Sequence, residues 1–219
     1  MNVMAIGAHP DDIEFGCSGT LMRHVSANDN VVYVCMTNTE SKSGTTGDVL
    51  RTNEELFEEV KCATEKMGIT NTEFLDFKDL HVPFSFKSVS TLDKLIQKYK
   101  INTIYTHWAG DSNQDHISTF KSTMAAARYV RNVYCYEQIP IPRLTENEMT
   151  INYYVDISDH MEDKIQVAEC HKSQIKKYKK IGFDVPNRLR VLAEFRGIQA
   201  NCKYAEGFQI IKQVRGERW

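Results

Sequence analysis

Near the N-terminus stands Ala5-Ile6-Gly7-Ala8-His9-Pro10-Asp11-Asp12-Ile13-Glu14-Phe15-Gly16, where apolar residues give way abruptly to charged ones. Residues 3–8 form a short apolar run that is typical of a buried parallel strand. Pro10 ends that strand because proline has no N–H to give to a neighbouring strand. One imidazole and two carboxylates therefore follow the carboxyl end of a strand, which is the edge where open α/β sheets build their sites.

This charged turn favours a bound cation, because two adjacent carboxylates repel each other unless a positive charge compensates them. His9 and Asp12 offer the nitrogen and oxygen ligands that zinc accepts. Asp11, if it stays off the metal, is placed to take a proton from water that the metal activates. The alternative interpretation is a polar turn in which Asp11 or Asp12 caps the next helix.

A second group of polar residues follows another predicted strand, residues 101–106, which is rich in β-branched side chains. The loop after this strand reads His107-Trp108-Ala109-Gly110-Asp111-Ser112-Asn113-Gln114-Asp115-His116 and opens a helix near Asp115. His116 would complete a set of two histidines and one aspartate, and Asp115 or a neighbour would hold the orientation of a ligand ring.

The segments Ala8-His9-Pro10-Asp11-Asp12 and Asp111-Ser112-Asn113-Gln114-Asp115-His116 resemble the motifs of the zinc-dependent N-acetylglucosaminyl deacetylases of the PIG-L/LmbE type. Weaker similarity at residues 155–159, 171–174, 196–197 and 204–208 extends the resemblance over nearly the whole chain. The resemblance implies that His9, Asp12 and His116 bind Zn²⁺, or another divalent transition metal, and that Asp11 is the general base. It also implies an N-acetylated amino sugar as substrate, either free, nucleotide-linked or part of a glycoconjugate.

The same resemblance suggests roles for further residues. Arg51 stands where family members place an arginine that contacts substrate, and Asp79 resembles an aspartate that bonds sugar hydroxyls. We assign these two residues and His107 to substrate binding, and we assign Asn113 and Asp115 to catalysis beside Asp11.

One position departs from the family pattern, because Asn113 stands where several members carry a histidine. Asparagine can donate a hydrogen bond to an oxyanion, but it cannot deliver a proton near neutral pH. Protonation of the leaving amine then falls to Asp11 itself, or to His107 or His171.

Composition limits the remaining possibilities. The chain has 219 residues, 42% of them hydrophobic, which predicts a single domain over residues 1–219. The formal net charge of −2 argues against a nucleic-acid partner. No secretory signal or apolar run long enough for a transmembrane segment is visible, so we expect a cytoplasmic protein. The six cysteines are scattered, which predicts reduced thiols, with Cys17 packed in the core.

Alternation of strand and helix patterns predicts an α/β fold, a Rossmann-like three-layer α/β/α arrangement with a mostly parallel sheet. Helices are expected to begin near residues 18, 48 and 159. Arg51 would then lie in the first turn of the helix that begins near residue 48. Residues 37–47 are expected to form a loop at the rim of the site. Residues 151–157 alternate as an edge or antiparallel strand would. The dinucleotide-binding glycine pattern is absent after the first strand, which favours a metal scaffold over a nicotinamide site.

These observations favour a zinc hydrolase that removes the N-acetyl group from an amino sugar. One alternative keeps the zinc chemistry and acts on a non-sugar amide. Another is a non-catalytic sugar- or nucleotide-binding module of the same fold. The family resemblance also hints at a homo-oligomer.

Overall fold

A computed structural model describes residues 1–42, 46–139 and 148–216 of the chain. The strands in these residues are β1 (Asn2–Gly7), β2 (Asn30–Thr37), β3 (Ser41–Lys42), β4 (Val49–Arg51), β5 (Asn71–Phe77), β6 (Thr103–Thr106), β7 (Asn132–Tyr136), β8 (Tyr153–Asp156) and β9 (Ala205–Lys212). The α-helices are α1 (Asp12–Ser26), α2 (Asn53–Met67), α3 (Phe86–Lys98), α4 (Gln114–Ala126), α5 (Met161–Ala168), α6 (Lys172–Lys179) and α7 (Val185–Ala200).

The central sheet has the strand order β5-β2-β1-β6-β7-β9-β8. Its first five strands are mutually parallel, and β9 and β8 extend it in antiparallel pairing. Successive residues of β1 point to opposite faces, so that Val3 and Ala5 join a core with α1 and α2, whereas Met4 and Ile6 join a core with α3 and α4. The predicted three-layer arrangement with a mostly parallel sheet is thereby confirmed, and so is the antiparallel strand near residue 155.

The start of the second helix differs from the expectation. The polar segment after β2 contains β3, which pairs with β4, and α2 begins only at Asn53. Thr52 and Glu55 form a reciprocal capping box that fixes this start, a sequence signal stronger than the apolar period that suggested residue 48. Arg51 therefore lies in a strand and not in a helical turn, and residues 43–45 of the predicted loop lie outside the described residues.

Two other helix boundaries also differ. The helix α1 begins at Asp12, and the start expected near residue 18 is the point where α1 resumes after Cys17, whose φ −144° and ψ 17° are not helical. The helix expected over residues 159–174 is divided into α5 and α6. Glu59 of α2 explains the break, since its carboxylate accepts hydrogen bonds from the Ser173 N–H (2.6 Å) and the Ser173 hydroxyl (2.8 Å) at the start of α6.

The expectation that all six cysteines are reduced is wrong for one pair, because Cys62 of α2 and Cys170 after α5 form a disulfide. Cys17, Cys35, Cys135 and Cys202 are free, and Cys17 is buried in the core, as expected. No C-x-x-C spacing signals the bond, since 108 residues separate its two cysteines and only the packing of α5 against α2 brings them together. Among the described residues, no helix is both long and apolar enough to cross a membrane.

The disulfide is tested by counting thiols. Denatured without reductant, the protein should expose four reactive thiols, and reduction should raise the count to six. Replacing both bonded cysteines (C62S/C170S) should lower the free energy of unfolding by about 2–4 kcal/mol, because the bond limits the conformations of the unfolded chain. Cys202→Ser is the control and should leave that free energy unchanged. Six reactive thiols before reduction would contradict the assignment.

Candidate metal centre

The turn after β1 holds its acidic side chains in a strained backbone. Asp11 has φ 128° and ψ −24°, a region that costs a non-glycine residue about 1–3 kcal/mol. Two hydrogen bonds brace this turn, from the His9 N–H to Asp12 Oδ2 (2.7 Å) and from Arg51 Nη1 to the Pro10 carbonyl (2.9 Å). Asp11 occupies the N-cap position of α1, yet its side chain makes no capping bond. Its carboxylate is therefore left available for chemistry.

The turn after β6 is organised by its own polar side chains. Asn113 caps α4, since its Oδ1 accepts a hydrogen bond from the Asp115 N–H (2.8 Å). The Asn113 N–H in turn donates to Asp111 Oδ1 (2.8 Å). Because β1 and β6 are parallel neighbours in the sheet, these two turns lie side by side at its carboxyl edge.

Two imidazoles and one carboxylate converge where the turns meet. His9 Nδ1 lies 3.4 Å from Asp12 Oδ2, and His116 Nε2 lies 3.3 Å from Asp12 Oδ1. One ligand atom from each of the three residues falls within 4.8 Å of the others. A donor set of two nitrogens and one oxygen suits zinc, which in catalytic sites takes three protein ligands and keeps one position open.

Carboxylates on the far side of each ring set the ring orientation. Asp111 Oδ2 lies 2.7 Å from His116 Nδ1, while Asp115 Oδ2 lies 3.1 Å from His9 Nε2. With a proton on each of those nitrogens, the opposite ring nitrogens carry the lone pairs that face Asp12. Asp115 therefore orients the His9 ring, and Asp111 orients the His116 ring.

Two other groups of side chains could also hold an ion in the described part of the chain: His107 with Asp111 and His116, and His9 with Asp79 and Asp115. A cavity of about 400 Å³ distinguishes among the three groups. His9, Asp12 and His116 all line it, whereas each alternative includes at least one residue that does not. An ion held by the first group would be accessible to a substrate.

Beyond those three residues, the cavity lining combines polar and apolar side chains from seven segments of the chain. They are Asp11, Phe15, Ser41, Lys42, Leu50, Arg51, Asp79, Leu80, Asn113, Gln138, Ile139, Gln174, Lys177 and Tyr178. Four of the residues that the sequence placed at the site, Asp11, Arg51, Asp79 and Asn113, thus face one space.

His107 occupies a different place from the one expected. It is 1% exposed, does not line the cavity, and stacks against His116 with ring centroids 3.9 Å apart. Its Nε2 lies 2.9 Å from the Ala8 N–H, which donates a hydrogen bond to it. Burial, together with the charge of His116, lowers the pKa of His107 to about 4. The structure therefore places a neutral imidazole beside His116 and Asp12 and outside the cavity lining.

The charges of the centre shift one another's pKa values. Burial, followed by the neighbouring charge of Asp12, raises the pKa of Asp11 to about 6. Burial would by itself raise the pKa of Asp12, but His116 and His107 bring it well below its usual value. Burial would lower the pKa of His116, yet Asp12 and Asp111 raise it above its usual value. Burial would also lower the pKa of His9, but hydrogen bonds with Asp115 and Asp12 raise it well above its usual value, so His9 and His116 carry the positive charge beside Asp12.

Arg51 and Asp79 flank this centre. Arg51 is 3% exposed and lines the cavity, and its buried Nε has no hydrogen-bond partner among the described residues. Asp79 Oδ1 lies 3.2 Å from His9 Nε2. Both residues line the cavity, so a guanidinium and a carboxylate flank the space beside His9.

His171 is a fully buried part of the framework, 0% exposed. Its Nε2 lies 3.0 Å from Glu14 Oε1 and its Nδ1 lies 3.8 Å from Glu59 Oε2. Burial would lower the pKa of His171, but the charge of Glu14 raises it to about 10. The residue is absent from the cavity lining, so it supports the first turn of α1 from behind.

Gln138, Gln174 and Tyr178 line the cavity; sequence reasoning missed Gln138, and it gave no site assignment to Gln174, which lies in the weak family similarity at residues 171–174, or to Tyr178. Gln138 Nε2 donates a hydrogen bond to Asp12 Oδ1. Its position just after β7, a third parallel strand ending at this edge, was a signal that could have identified it. Gln174 and Tyr178 could not be identified in this way, because the break between α5 and α6 that turns them inward has no clear sequence signature.

Comparison with known proteins places the chain among deacetylases and their structural relatives. The uncharacterized deacetylase YaiS of Escherichia coli strain K12 is 32% identical over 141 residues, which cover 62% of this chain and 72% of YaiS. The diacetylchitobiose deacetylase of Thermococcus kodakarensis is 25% identical over 231 residues, covering 97% and 84% of the two chains.

Likeness of fold extends to a different chemistry. The crystal structure of GalB, the 4-carboxy-2-hydroxymuconate hydratase from Pseudomonas putida KT2440, matches with a TM-score of 0.81 at 19% identity and covers 100% of both chains. The fold by itself therefore does not fix the reaction. A family model for the GlcNAc-PI de-N-acetylases matches residues 4–127, which include His9, Asp12 and His116. The chain belongs to this family, PIG-L.

Proposed function

We propose that this protein is a zinc-dependent hydrolase that removes the N-acetyl group from an N-acetylated amino sugar. One observation carries the proposal: two histidines and an aspartate converge on a cavity that also receives the unengaged carboxylate of Asp11. The family description specifies de-N-acetylation of an N-acetylglucosamine conjugate, and the relative from Thermococcus kodakarensis deacetylates a sugar. The proposed substrate is therefore an N-acetylglucosamine-type amide.

The ligands in this proposal are His9 through Nδ1, Asp12, and His116 through Nε2, the atoms that face one another. Zinc, when bound, supplies Lewis-acid polarisation of the amide carbonyl and makes water more acidic. Asp115 and Asp111 keep the two imidazoles in the tautomers that ligation needs. Asp115 thus acts as a positioning residue and not in direct contact with substrate.

Asp11 is the proposed general base. Its carboxylate removes a proton from the attacking water while the water oxygen bonds to the amide carbon. As the C–N bond breaks, Asp11 gives the same proton to the amine nitrogen, and the products are the amine and acetic acid, which releases its remaining proton to solvent as acetate. His107 and His171 do not line the cavity, and Asn113 cannot supply a proton, so Asp11 returns the proton it accepted.

Asn113, Arg51 and Asp79 are proposed to contact the substrate. Because Asn113 Oδ1 is engaged as the helix cap, its Nδ2 is the part of the amide left to donate to a developing oxyanion. The Arg51 guanidinium and the Asp79 carboxylate, which belong to residues that line the cavity, offer a donor and an acceptor to sugar hydroxyls. Together the three side chains provide both polarities that a hydroxyl-rich ligand requires.

The ligand assignment predicts that His116→Ala loses zinc. Wild-type protein should bind one zinc ion per chain, whereas the variant should retain almost none after dialysis, as measured by elemental analysis. His160→Ala is the matched control, because His160 pairs only with Asp163 at the surface in the described structure. Unchanged zinc content in His116→Ala would remove His116 from the ligand set.

Zinc affinity should also fall as the pH is lowered. The pKa of His116 is raised in the absence of metal, so a proton must leave before the ring can ligate, and fewer protein molecules meet that condition at lower pH. Calorimetric titration at about pH 8 and about pH 6 should give weaker binding and greater proton release at the lower pH. Binding that is independent of pH would contradict ligation by these imidazoles.

The role of Asp11 predicts that Asp11→Asn keeps zinc and loses turnover. Asparagine preserves shape and tolerates the positive φ at this position, but it accepts no proton. Acetate release from N-acetylglucosamine, its nucleotide conjugates and its glycolipid conjugates should fall by about 10²–10⁴-fold. Asp163→Asn, an exposed change, should have no effect.

This assay also tests the function itself. If zinc-bound wild-type protein releases acetate from none of these sugars, the proposed reaction is wrong. Release from a non-sugar N-acetyl amide alone would redirect the proposal to an amidase. Wild-type turnover in Asp11→Asn would show that another group is the base.

Asn113→Ser separates capping from oxyanion binding. Serine caps helices about as well as asparagine, so the unfolding temperature should not change. The amide donor is lost, and kcat should decrease by about a hundredfold with little change in KM. Ser85→Asn, which exchanges the same two residue types at the cap of α3, is the control and should leave kcat unchanged. Full activity in Asn113→Ser would exclude an oxyanion contact.

A further inference from the structure

The helix that carries Asp12 is interrupted one turn after it begins. Cys17 has φ −144° and ψ 17°, outside the helical region, between the first turn of α1 and the remainder of the helix. In an unbroken helix, the Gly19 N–H would donate to the Phe15 carbonyl. A break at this point removes the regular ladder that would otherwise hold the first turn in line with the rest of α1.

An ion pair from two other elements occupies the break. Glu206 of β9 accepts hydrogen bonds from the Gly19 N–H at Oε1 (3.0 Å) and from the Thr20 N–H at Oε2 (2.7 Å). Lys164 of α5 donates to the Phe15 carbonyl (2.9 Å) and to Glu206 Oε1 (2.6 Å). The connection from Gly19 to Phe15 therefore runs through Glu206 and Lys164.

Close approach of neighbouring elements depends on two glycines. A Cβ on Gly19 would lie 3.1 Å from Glu206 Oε1 and 2.9 Å from Ile157. A Cβ on Gly16 would lie 2.4 Å from the ring of Tyr136. Both glycines thus let β7 and β9 contact the backbone of α1 at the break.

A buried ion pair normally gives little net stability, and apolar side chains of similar volume replace it well. This pair differs, because the side chains of Lys164 and Glu206 are only 3% and 4% exposed and their polar atoms satisfy helix carbonyls and N–H groups. Apolar replacements would leave those backbone groups buried without partners. The pair therefore satisfies buried backbone groups of α1, which requires a hydrogen-bond donor on α5 and an acceptor on β9.

We propose that Lys164 and Glu206 are positioning residues for the metal centre. They fix the first turn of α1, and with it Asp12, relative to the turn after β6. This inference rests on the proposed function only in taking Asp12 as a metal ligand. Neither residue touches the ligands, so the effect passes through the backbone of residues 12–16.

The test measures zinc affinity in variants of the full chain by competition with a chelator. Lys164→Met and Glu206→Gln should weaken zinc binding by about tenfold or more, in the range seen when groups that orient metal ligands are removed. Each variant is compared well below its own unfolding temperature, because a purely structural role would lower that temperature and leave the affinity of the folded protein intact. Glu206→Gln keeps the side-chain shape, and circular dichroism verifies that the variant is folded before its zinc affinity is measured. Glu162→Gln, an exposed change on the same α5, is the control and should bind zinc like wild type.

A charge-swapped double variant (K164E/E206K) sharpens the test. It restores the ion pair, but the carboxylate cannot donate to the Phe15 carbonyl and the ammonium cannot accept from the Gly19 N–H. Zinc affinity should therefore stay weak. Wild-type affinity in the folded Glu206→Gln variant, or full recovery in the swapped variant, would overturn the proposal. If wild-type protein binds zinc but releases no acetate, the proposed reaction is wrong, but the comparison of zinc affinities still tests the role of Lys164 and Glu206.

Discussion

Everything at this site depends on the parallel pairing of β1 with β6. Parallel neighbours end at the same edge, so the turns beginning at His9 and at His107 meet although nearly a hundred residues separate them. That meeting concentrates three imidazoles and several carboxylates at the wall of the cavity, where most of these side chains are buried. Such a concentration of charge is stable only if protons or a cation balance it, which is why the arrangement suits a divalent ion.

Support for the ligands comes from groups arranged in successive layers. Asp111 and Asp115 hold the two imidazoles, and Arg51 holds the strained turn through the Pro10 carbonyl. Further out, Lys164 and Glu206 bridge the break in α1. Each layer satisfies backbone or ring groups that would otherwise be buried without a partner, and this requirement fixes geometry more tightly than apolar packing does.

Much of this could be read from the sequence, because it is encoded locally. An apolar run followed by proline and charged residues marks a strand end, so the two turns and the mostly parallel sheet were predictable. The family resemblance then selected His9, Asp12 and His116 from several candidates. Arg51 was misplaced because an apolar helical period extended past the capping box that begins α2. The disulfide, the burial of His107 and the Lys164–Glu206 bridge escaped prediction, since each depends on contacts between distant segments.

The most direct measurement is X-ray absorption spectroscopy at the zinc edge on the zinc-loaded wild-type protein. Ligation by His9, Asp12 and His116 predicts a first coordination sphere of nitrogen and oxygen only, at about 2.0–2.2 Å, with outer-shell scattering from two imidazole rings. A sulfur ligand at about 2.3 Å, or scattering from a single imidazole, would contradict the convergence of His9 and His116 on one ion.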